Sequence, residues 1–325
     1  MQTFVSLQKN TTMILICDCG STKAEWVLLD GADVAKRFVT DGFNPNISNN
    51  DTMNGIVKQS LTNVVDYHDV SDVYFYGSGC GSAANQVKVK LIFSKFYPLS
   101  KAEVYPDTLG ACHALFGDKP GIACILGTGS NACVYDGEEI TQSIVSLGYI
   151  IGDEGSGCHI GKRIVHDYFL GIMPDDLRAE FDAKYHLDKD AFLKKVYHGD
   201  QPSRYLAKFS KFAGKNIENQ YVVKAVSDCF EQFIQSSFRL KRNEMEWNGE
   251  ILQQRKLTGN EDFSTTLRFA RNDVGFVGSV AYYFRDILTK CLANHNIKCQ
   301  KILKNPMDGL VEYYEDQNAM ESLIL

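Results

Sequence analysis

A hairpin of two strands joined by a turn of small residues most limits the fold of this chain, because the chain contains it twice. In the first copy, the apolar run Met13–Cys19 is followed by the small residues Gly20-Ser21-Thr22. A second strand-like segment then ends at Asp30-Gly31, a pair of residues that favours a turn. Apolar runs bounded by such turn residues predict two antiparallel strands.

The second copy has the same order of features. An apolar run from Ile122 to Leu126 leads into Gly127-Thr128-Gly129-Ser130, and a returning strand ends before Asp136-Gly137. Gly127 lies 109 residues after Asp18, a spacing typical of one domain. The repeat predicts an internal duplication and therefore two α/β domains, with chance similarity of two hairpins as the alternative.

The length of 325 residues also predicts two domains, because single hydrophobic cores rarely grow so large. We predict an extension over residues 1–12, a first domain over 13–118 and a second over 119–304. A final helix over 305–325 is expected to pack back on the first domain. Residues 238–273 hold many polar and charged residues with little periodicity, so we predict an insertion there.

The bulk composition narrows the choice of partners and of compartment. A formal net charge of −6 argues against nucleic acid and anionic membranes, but it is compatible with a small phosphorylated ligand held by backbone N–H groups. No apolar run approaches the roughly 20 residues needed to span a bilayer, and the first ten residues lack signal-peptide features. The ten cysteines lack zinc-site spacing. We expect a cytoplasmic protein.

The two small-residue turns are candidate phosphate sites. Gly20, Ser21, Thr22 and the segment Gly127–Ser130 would let the backbone approach a phosphate group and donate N–H and hydroxyl hydrogens. An ordinary hairpin turn is the alternative for the first of them. Asp18 would repel phosphate unless Mg²⁺ lay between them, although it could also cap the turn. Lys23 faces either phosphate or solvent.

Three further polar residues are placed where chemistry is possible. Asp107 follows a strand and Pro106 and precedes a predicted helix, so it is either a helix cap or a base for an attacking hydroxyl. Asp153 and its neighbour Glu154 lie between glycines in a glycine-rich loop predicted over Gly148–Gly157, and their carboxylates could accept hydrogen bonds from sugar hydroxyls or simply face water. Asn44 could do the same or form an Asx turn.

Taken together and in their order, six segments resemble the actin/hexokinase/Hsp70-type ATPase superfamily. The resemblance is closer to the BadF/BadG/BcrA/BcrD ATPase family, in the branch that contains N-acetylglucosamine kinases. It covers about residues 13–235 and 274–315, and it rests on the segments Asp18–Lys23, Gly42–Pro45, Pro106–Ala111, Leu126–Asn131, Leu147–Ser156 and Gly275–Ala281.

The resemblance implies a fold of two ribonuclease-H-like (actin-like ATPase) domains that close on ATP in a cleft. It implies Asp107 as the general base toward a sugar hydroxyl and Asp18 near Mg²⁺. The other implied roles are contact with the sugar for Asn44, Gly79, Gly148 and Asp153, contact with phosphate for Gly20, Ser21, Thr22, Lys23, Gly127, Thr128, Gly129 and Ser130, and contact with adenosine for Gly275, Gly278 and Ser279.

The activity that the resemblance implies is ATP-dependent phosphorylation of an amino sugar, most often N-acetylglucosamine at its 6-hydroxyl. A homodimer is the tendency of the family. The alternatives are an ATPase activator of a radical dehydratase, which needs paired cysteines for an iron–sulfur cluster, and a non-catalytic sugar sensor. Two departures from the family pattern bear on activity: Cys19 stands where glycine is common, and residues 238–273 precede the adenosine segment.

Overall fold

A computed structural model describes residues 13–20, 23–238 and 273–324 of the chain. The chain divides into two compact units. Unit 1 comprises Met1–Gly117 together with Pro306–Leu325, and unit 2 comprises Asp118–Asn305. The predicted insertion over 238–273 falls almost wholly outside the described residues, as do the predicted extension and the residues Ser21 and Thr22.

Unit 1 is built on a mixed sheet of five strands in the order β3-β2-β1-β4-β5. The antiparallel strands β1, β2 and β3 form a meander, and β4 and β5 run parallel to β1. Both faces of β1 are covered, so its sequence is a continuous apolar run without alternation. The strands are β1 Met13–Cys19, β2 Lys23–Asp30, β3 Asp33–Asp41, β4 Val70–Gly77 and β5 Lys101–Pro106.

The helices of unit 1 cover this sheet. Trp26 lies at the centre of an aromatic group with Phe38, Phe75 and Phe93, and its indole N–H donates to Thr40 Oγ1 at 2.9 Å. The Trp26 side chain is buried, and this hydrogen bond satisfies its one polar atom. The helices are α1 Asn50–Ile56, continued by a π-helical turn Val57–Leu61, a 3₁₀ turn Tyr67–Asp69, α2 Ala83–Phe96 and α3 Asp107–Phe116.

The last helix of the chain belongs to unit 1. It spans Met307–Ile324 and packs against α3, where a Cβ added at Gly309 would lie 2.3 Å from the carbonyl oxygen of Ala114. The hydroxyl of Tyr76 on β4 lies 2.7 Å from both His113 Nδ1 and the Tyr314 hydroxyl. The helix therefore completes the core of unit 1 through close backbone packing and a buried polar cluster.

Unit 2 repeats the sheet of unit 1. Its five strands have the order β10-β9-β6-β7-β8. Strands β6, β7 and β8 form an antiparallel meander, and β9 and β10 run parallel to β6. Strand order and direction match those of unit 1, as an internal duplication predicts. The strands are β6 Gly121–Leu126, β7 Ser130–Tyr135, β8 Ile140–Ser143, β9 Val274–Val277 and β10 Cys299–Leu303.

The described helices of unit 2 enclose a second core rich in phenylalanine. Phe181 contacts Phe209 and Phe212 between the helices, and Phe233 packs on Phe276 of β9. The helices are α4 Gly148–Ile151, α5 Gly157–Phe169, α6 Asp175–Tyr185, α7 Lys189–His198, α8 Pro202–Ala207, α9 Ser210–Lys215, α10 Gln220–Phe238, α11 Ser279–Tyr283 and α12 Arg285–Asn294. Within the described residues, no helix combines the length and apolar character that a membrane crossing requires.

The predicted fold class of two ribonuclease-H-like α/β domains is confirmed by the two five-stranded mixed sheets. One local prediction needs correction, because the segment predicted as a glycine-rich loop from Gly148 begins with the short helix α4. Gly148 adopts a φ of 69° at the start of that helix, and Gly152 donates its N–H to the carbonyl of Gly148 at 2.8 Å.

Candidate functional site

In unit 1, the candidate residues meet at the carboxyl ends of the parallel strands. Cys19 on β1 pairs with Gly77 on β4, and Gly77 pairs with Pro106 on β5. The three strands therefore end at the same level of the sheet. Ligands in open α/β sheets bind at such edges, and here the edge carries Asp18 and Asp107.

Asp107 is the first residue of α3, and its side chain does not cap that helix. The capping position is occupied by Pro106, which makes no side-chain cap hydrogen bond. The Oδ1 atom of Asp107 accepts the N–H of Thr108 at 3.0 Å, and Oδ2 accepts the hydroxyl of Ser78 at 2.8 Å. The carboxylate is thus held in one orientation at the sheet edge, half-buried, which suits a base better than a cap.

Asp18 is a partly buried carboxylate whose neighbours oppose its charge. Burial, together with the negative charges of Asp107 and Glu25, raises its pKa to about 7, while the charge of Lys23 acts in the opposite direction. A divalent cation would relieve this repulsion, and one or two carboxylates are the protein ligands that Mg²⁺ commonly uses beside phosphate and water. The side chains at this edge therefore fit Mg²⁺, although no cluster of three or more ligands occurs among the described residues.

The first small-residue turn is described only at its two ends. The N–H of Gly20 donates to the carbonyl of Lys23 at 2.9 Å, and a Cβ added at Gly42 would lie 2.0 Å from the carbonyl oxygen of Gly20. Gly42 is therefore needed for close packing against the turn. Lys23 is the first residue of β2 and is exposed. The predictions for Ser21 and Thr22 lie outside the described residues.

Cys19 has its side chain in the core of unit 1 and is fully buried. Its Sγ atom accepts the N–H of Phe43 at 3.4 Å and lies 3.5 Å from the carbonyl oxygens of Gly20 and Phe43. The thiol thus ties the first turn to the segment that begins at Gly42. Successive strand residues point to opposite faces, so Cys19 and Asp18 project on different sides of β1.

Asn44 and Gly79 are brought into contact. The Oδ1 atom of Asn44 accepts the N–H of Asn46 at 2.9 Å, which is an Asx turn. A Cβ added at Gly79 would lie 2.1 Å from that same oxygen, and Gly79 has a φ of 83°. Asn85 adds a third contact, because its Nδ2 atom donates to the carbonyl of Gly79 at 2.8 Å. The predicted sugar contacts of unit 1 form one local group.

In unit 2, the equivalent sheet edge carries the second small-residue turn. Ile125 on β6 pairs with Val277 on β9, and Val277 pairs with Leu303 on β10. Gly127 and Gly278 both lie just beyond this level. A Cβ added at Gly278, whose φ is 129°, would lie 2.2 Å from the carbonyl oxygen of Leu126, so only glycine permits this approach.

Asp153 lies directly on the second turn. Its Oδ1 atom accepts the N–H of Ser130 at 3.3 Å, and a Cβ added at Gly129 would lie 3.0 Å from its Oδ2 atom. Burial raises the pKa of Asp153, while the Ser130 hydrogen bond and the charge of Lys162 lower it. The residue adopts the left-handed conformation with a φ of 57°, which a non-glycine residue adopts at a cost. The predicted phosphate turn and the predicted sugar carboxylate are therefore neighbours.

Two N–H groups of the second turn are already engaged within the protein. Gly127 donates to the carbonyl of Gly129 at 3.0 Å, and Ser130 donates to Asp153. The side chain of Thr128 is exposed at the tip of the turn. The turn is also fixed from behind, because Gly157 and Cys158 at the start of α5 donate to the carbonyls of Gly127 and Thr128 at 2.8 and 3.1 Å.

The three residues predicted to contact adenosine occupy different environments. Gly275 is an interior residue of β9, paired with Ala123 on one side and Lys301 on the other. Gly278 follows the strand, and the exposed Ser279 begins α11. Gly278 and Ser279 therefore lie at the sheet edge with the second turn, whereas Gly275 lies inside the sheet.

Ser78 was not predicted as a site residue, yet its hydroxyl contacts the candidate base. The signal was present in the sequence, because Ser78 belongs to the glycine-rich run Gly77–Gly81 that follows β4. A polar residue directly after a parallel strand reaches the same sheet edge as residues that follow neighbouring strands. Sequence analysis assigned only Gly79 from this run.

Comparisons with known proteins place the chain in a family. No protein-family model and no curated protein matches it. A solved Porphyromonas gingivalis protein, described as a candidate N-acetylglucosamine kinase, is 31% identical with a TM-score of 0.81, covering 94% of this chain and 99% of that one.

More distant structures share the fold alone. A Chromobacterium violaceum protein with the same description is 13% identical with a TM-score of 0.63, covering 93% of this chain and 99% of that one. A transcriptional regulator of the ROK family, homologous to the Escherichia coli MLC protein, is 13% identical with a TM-score of 0.52, covering 96% of this chain and 81% of that one.

With 31% identity to the Porphyromonas gingivalis protein over nearly the full length of both chains, this chain belongs to the actin/hexokinase-type sugar kinase family.

Proposed function

We propose that the protein is an ATP-dependent sugar kinase in the N-acetylglucosamine kinase-like branch of the BadF/BadG/BcrA/BcrD ATPase family, with N-acetylglucosamine as its substrate and the 6-hydroxyl as the acceptor. The observation that carries the proposal is the meeting of Asp18 and Asp107 at the carboxyl edge of the unit 1 sheet. Asp18 is suited to bind a cation, and Asp107 is suited to accept a proton. Phosphoryl transfer to a hydroxyl uses a metal ion and a base at the same site.

Asp107 is proposed as the general base. Its carboxylate is oriented by Ser78 and by the N–H of Thr108, and it stands at the first turn of a helix. As the sugar oxygen attacks the γ-phosphorus of ATP, the hydroxyl proton passes to Asp107 and the bond to the ADP oxygen breaks. The loose transition state of this reaction requires mainly positioning, with modest help from the base.

Asn44 and Gly79 are proposed as the sugar contacts of unit 1. The Asx turn fixes the amide of Asn44, and the absence of a side chain at Gly79 lets that amide lie directly against the Gly79 backbone. In unit 2, the half-buried carboxylate of Asp153 would accept hydrogen bonds from vicinal hydroxyls, with Gly148 at the start of the neighbouring helix α4. These acceptors suit a hexose, and the N-acetyl group is inferred from the family resemblance.

The two small-residue turns are proposed to bind the phosphates of ATP. In the second turn, Thr128 and Gly129 would supply the N–H groups, since those of Gly127 and Ser130 are engaged within the protein. In the first turn, where Gly20 donates its N–H to Lys23, Gly20 would let the phosphate approach the backbone, and Ser21, Thr22 and Lys23 would supply the donors. Gly278 and Ser279 at the edge of the unit 2 sheet would face adenosine, with Gly275 supporting them from inside β9.

Asp18 is proposed to hold Mg²⁺, alone or through bound water. When bound, the ion would neutralise phosphate charge that the carboxylates of this edge would otherwise repel. The cytoplasm is the proposed location, which agrees with the ten free cysteines, because disulfides are rare in that reducing compartment. A homodimer through unit 2 is part of the same proposal and rests on the family resemblance.

The test is a coupled assay of ADP release over a panel of amino sugars, hexoses and muramic-type sugars. We expect the highest kcat/KM with N-acetylglucosamine, and the position of the phosphate would be read by NMR of the product. Asp107→Asn should reduce turnover to a small residual rate, about 10²-fold to 10⁴-fold below that of the wild type, with sugar binding retained. Asp72→Asn is the matched control, since Asp72 lies at the opposite end of β4 beside Lys101. The proposal fails if no sugar stimulates ADP release by the wild-type protein.

Cysteine placement favours the kinase over the activator of a radical dehydratase. Cys158 and Cys229 are buried among the apolar residues of the unit 2 core. Burial raises the pKa of the Cys158 thiol to about 11, which disfavours the thiolate that an iron–sulfur cluster requires. Visible iron–sulfur absorbance in protein purified without oxygen would favour the activator. Sugar binding without any ATP turnover would favour the sensor.

A further inference from the structure

We propose that Ser78 is a positioning residue that holds the carboxylate of Asp107 in the orientation for proton transfer. The inference rests on the proposed kinase function, and it adds a residue to that site. Ser78 does not reach the substrate in this scheme. It acts on the reaction through the side chain of Asp107.

The contact between the two side chains is direct and charge-assisted. The hydroxyl of Ser78 donates to Oδ2 of Asp107 at 2.8 Å, while the N–H of Thr108 donates to Oδ1 at 3.0 Å. The two donors approach different oxygens of one carboxylate. Rotation of the carboxylate about the Cβ–Cγ bond of Asp107 would break at least one of these hydrogen bonds. The two hydrogen bonds together therefore set the plane of the carboxylate.

The backbone of Ser78 is itself anchored to the strand that carries Asp18. The N–H of Ser78 donates to the carbonyl of Cys19 at 2.9 Å, which extends the pairing of β1 with β4 by one residue. Through this bond, the position of the Ser78 hydroxyl is fixed relative to the end of β1. Ser78 thus links β1, the strand that carries Asp18, to the proposed base Asp107.

The residues on either side of Ser78 leave its backbone little freedom. A Cβ added at Gly77 would lie 2.4 Å from Cε1 of Phe75, and Gly79 is held against Asn44. The N–H of Cys80 closes the turn by donating to the carbonyl of Gly77 at 3.1 Å. A serine in a turn this constrained presents its hydroxyl in a defined direction, which is what a positioning role requires.

The test compares Ser78→Ala with Ser78→Thr and with Ser82→Ala. Ser82 is the matched control, because it follows the same turn and its hydroxyl caps α2 by accepting the N–H of Asn85 at 3.3 Å. We expect Ser78→Ala to lower kcat by about 10-fold to 100-fold with the KM values for sugar and ATP nearly unchanged. Ser78→Thr should recover most of the activity, and Ser82→Ala should lower the melting temperature without lowering kcat.

A double-mutant cycle separates positioning from a general loss of structure. If Ser78 acts through Asp107, adding Ser78→Ala to Asp107→Asn should cause no further loss of kcat. Ser78→Cys keeps the size of the side chain with a weaker donor, and it replaces Ser78→Ala in the cycle if the alanine variant does not fold. Near-normal kcat in the variant that lacks the hydroxyl, or equal losses in it and Ser82→Ala, would overturn the inference while the kinase function stands. A wild-type protein without sugar-dependent ADP release would overturn both.

Discussion

The carboxylates of Asp18 and Asp107 repel one another at the edge of the unit 1 sheet, where burial and then the charge of Asp107 raise the pKa of Asp18 to about 7. The two residues are 89 positions apart in sequence and meet because β1, β4 and β5 end at the same level. Unfavourable charge placement of this kind is typical of functional sites, where stability is given up for chemistry.

Asp18→Asn should stabilise the protein at pH 8 and have little effect at pH 4. The folded-state pKa of about 7 lies above the ordinary value of 3.8, so folding retains a proton between these values and stability falls as the pH rises through that window. At about 1.4 kcal/mol per pKa unit, the gain at pH 8 is at most about 4 kcal/mol, reduced by solvent at a partly exposed group.

Thermal unfolding of the Asp18→Asn variant across pH checks this prediction. Asp72→Asn on the same sheet serves as the control for replacing a carboxylate away from the candidate site. A gain at pH 4 as large as that at pH 8 would contradict the assignment of the effect to the charge of Asp18.

Mg²⁺ should stabilise the wild-type protein in the presence of ADP, and the effect should be larger at pH 8 than at pH 5. Ionised Asp18 is the proposed ligand, and its ionised fraction rises through a pKa of about 7. A metal at about 100 times its Kd adds about 2.7 kcal/mol to the free energy of unfolding. Differential scanning fluorimetry measures this, with NaCl at equal ionic strength as the control. Equal stabilisation of Asp18→Asn by Mg²⁺ would assign the metal to other residues.

Gly79→Ala should raise the KM for the sugar by at least about 10-fold. The new Cβ would lie 2.1 Å from Oδ1 of Asn44, and alanine disfavours a φ of 83°, so the Asx turn must shift. Gly81→Ala is the matched control, since its Cβ would meet no atom within 4 Å. Steady-state kinetics of both variants decide the matter: if their KM values agree, Asn44 does not contact the sugar.

Cys19→Gly should lower stability by about 2–3 kcal/mol without increasing activity. The substitution removes a buried side chain and its bond to Phe43, and glycine adds the entropy cost of fixing a strand residue. Cys19→Ala should lie between the wild type and the glycine variant. Urea unfolding and the ADP-release assay measure the two effects. A clear rise in kcat for Cys19→Gly would mean that Cys19 does obstruct the phosphate turn.

The sequence predicted the central strands of both sheets because buried strands combine apolar runs with turn residues at their ends. It did not predict β3, whose residues Asp33 to Phe38 are largely exposed and carry no alternating pattern. An outer strand of this kind is defined by its hydrogen bonds to β2, which a local pattern does not encode.

The candidate residues could be chosen from the sequence, but the hydrogen bonds among them could not. The motifs singled out Asp107 and Asp153 as candidates, whereas their partners Ser78 and Ser130 depend on which strand ends meet after folding. For the same reason, sequence left a helix cap open as the role of Asp107. The Ser78 hydrogen bond, formed across 29 residues of sequence, decides against it.

In the order of the sequence, unit 2 lies between the two segments that make up unit 1. During synthesis, unit 2 emerges as one uninterrupted segment, whereas unit 1 must wait for the final helix that brings Tyr314 to Tyr76 and Gly309 to Ala114. We therefore expect α3, which begins with Asp107, to reach its final packing only after unit 2 has been synthesised. The part of the protein proposed to perform the chemistry would then be the last to become native.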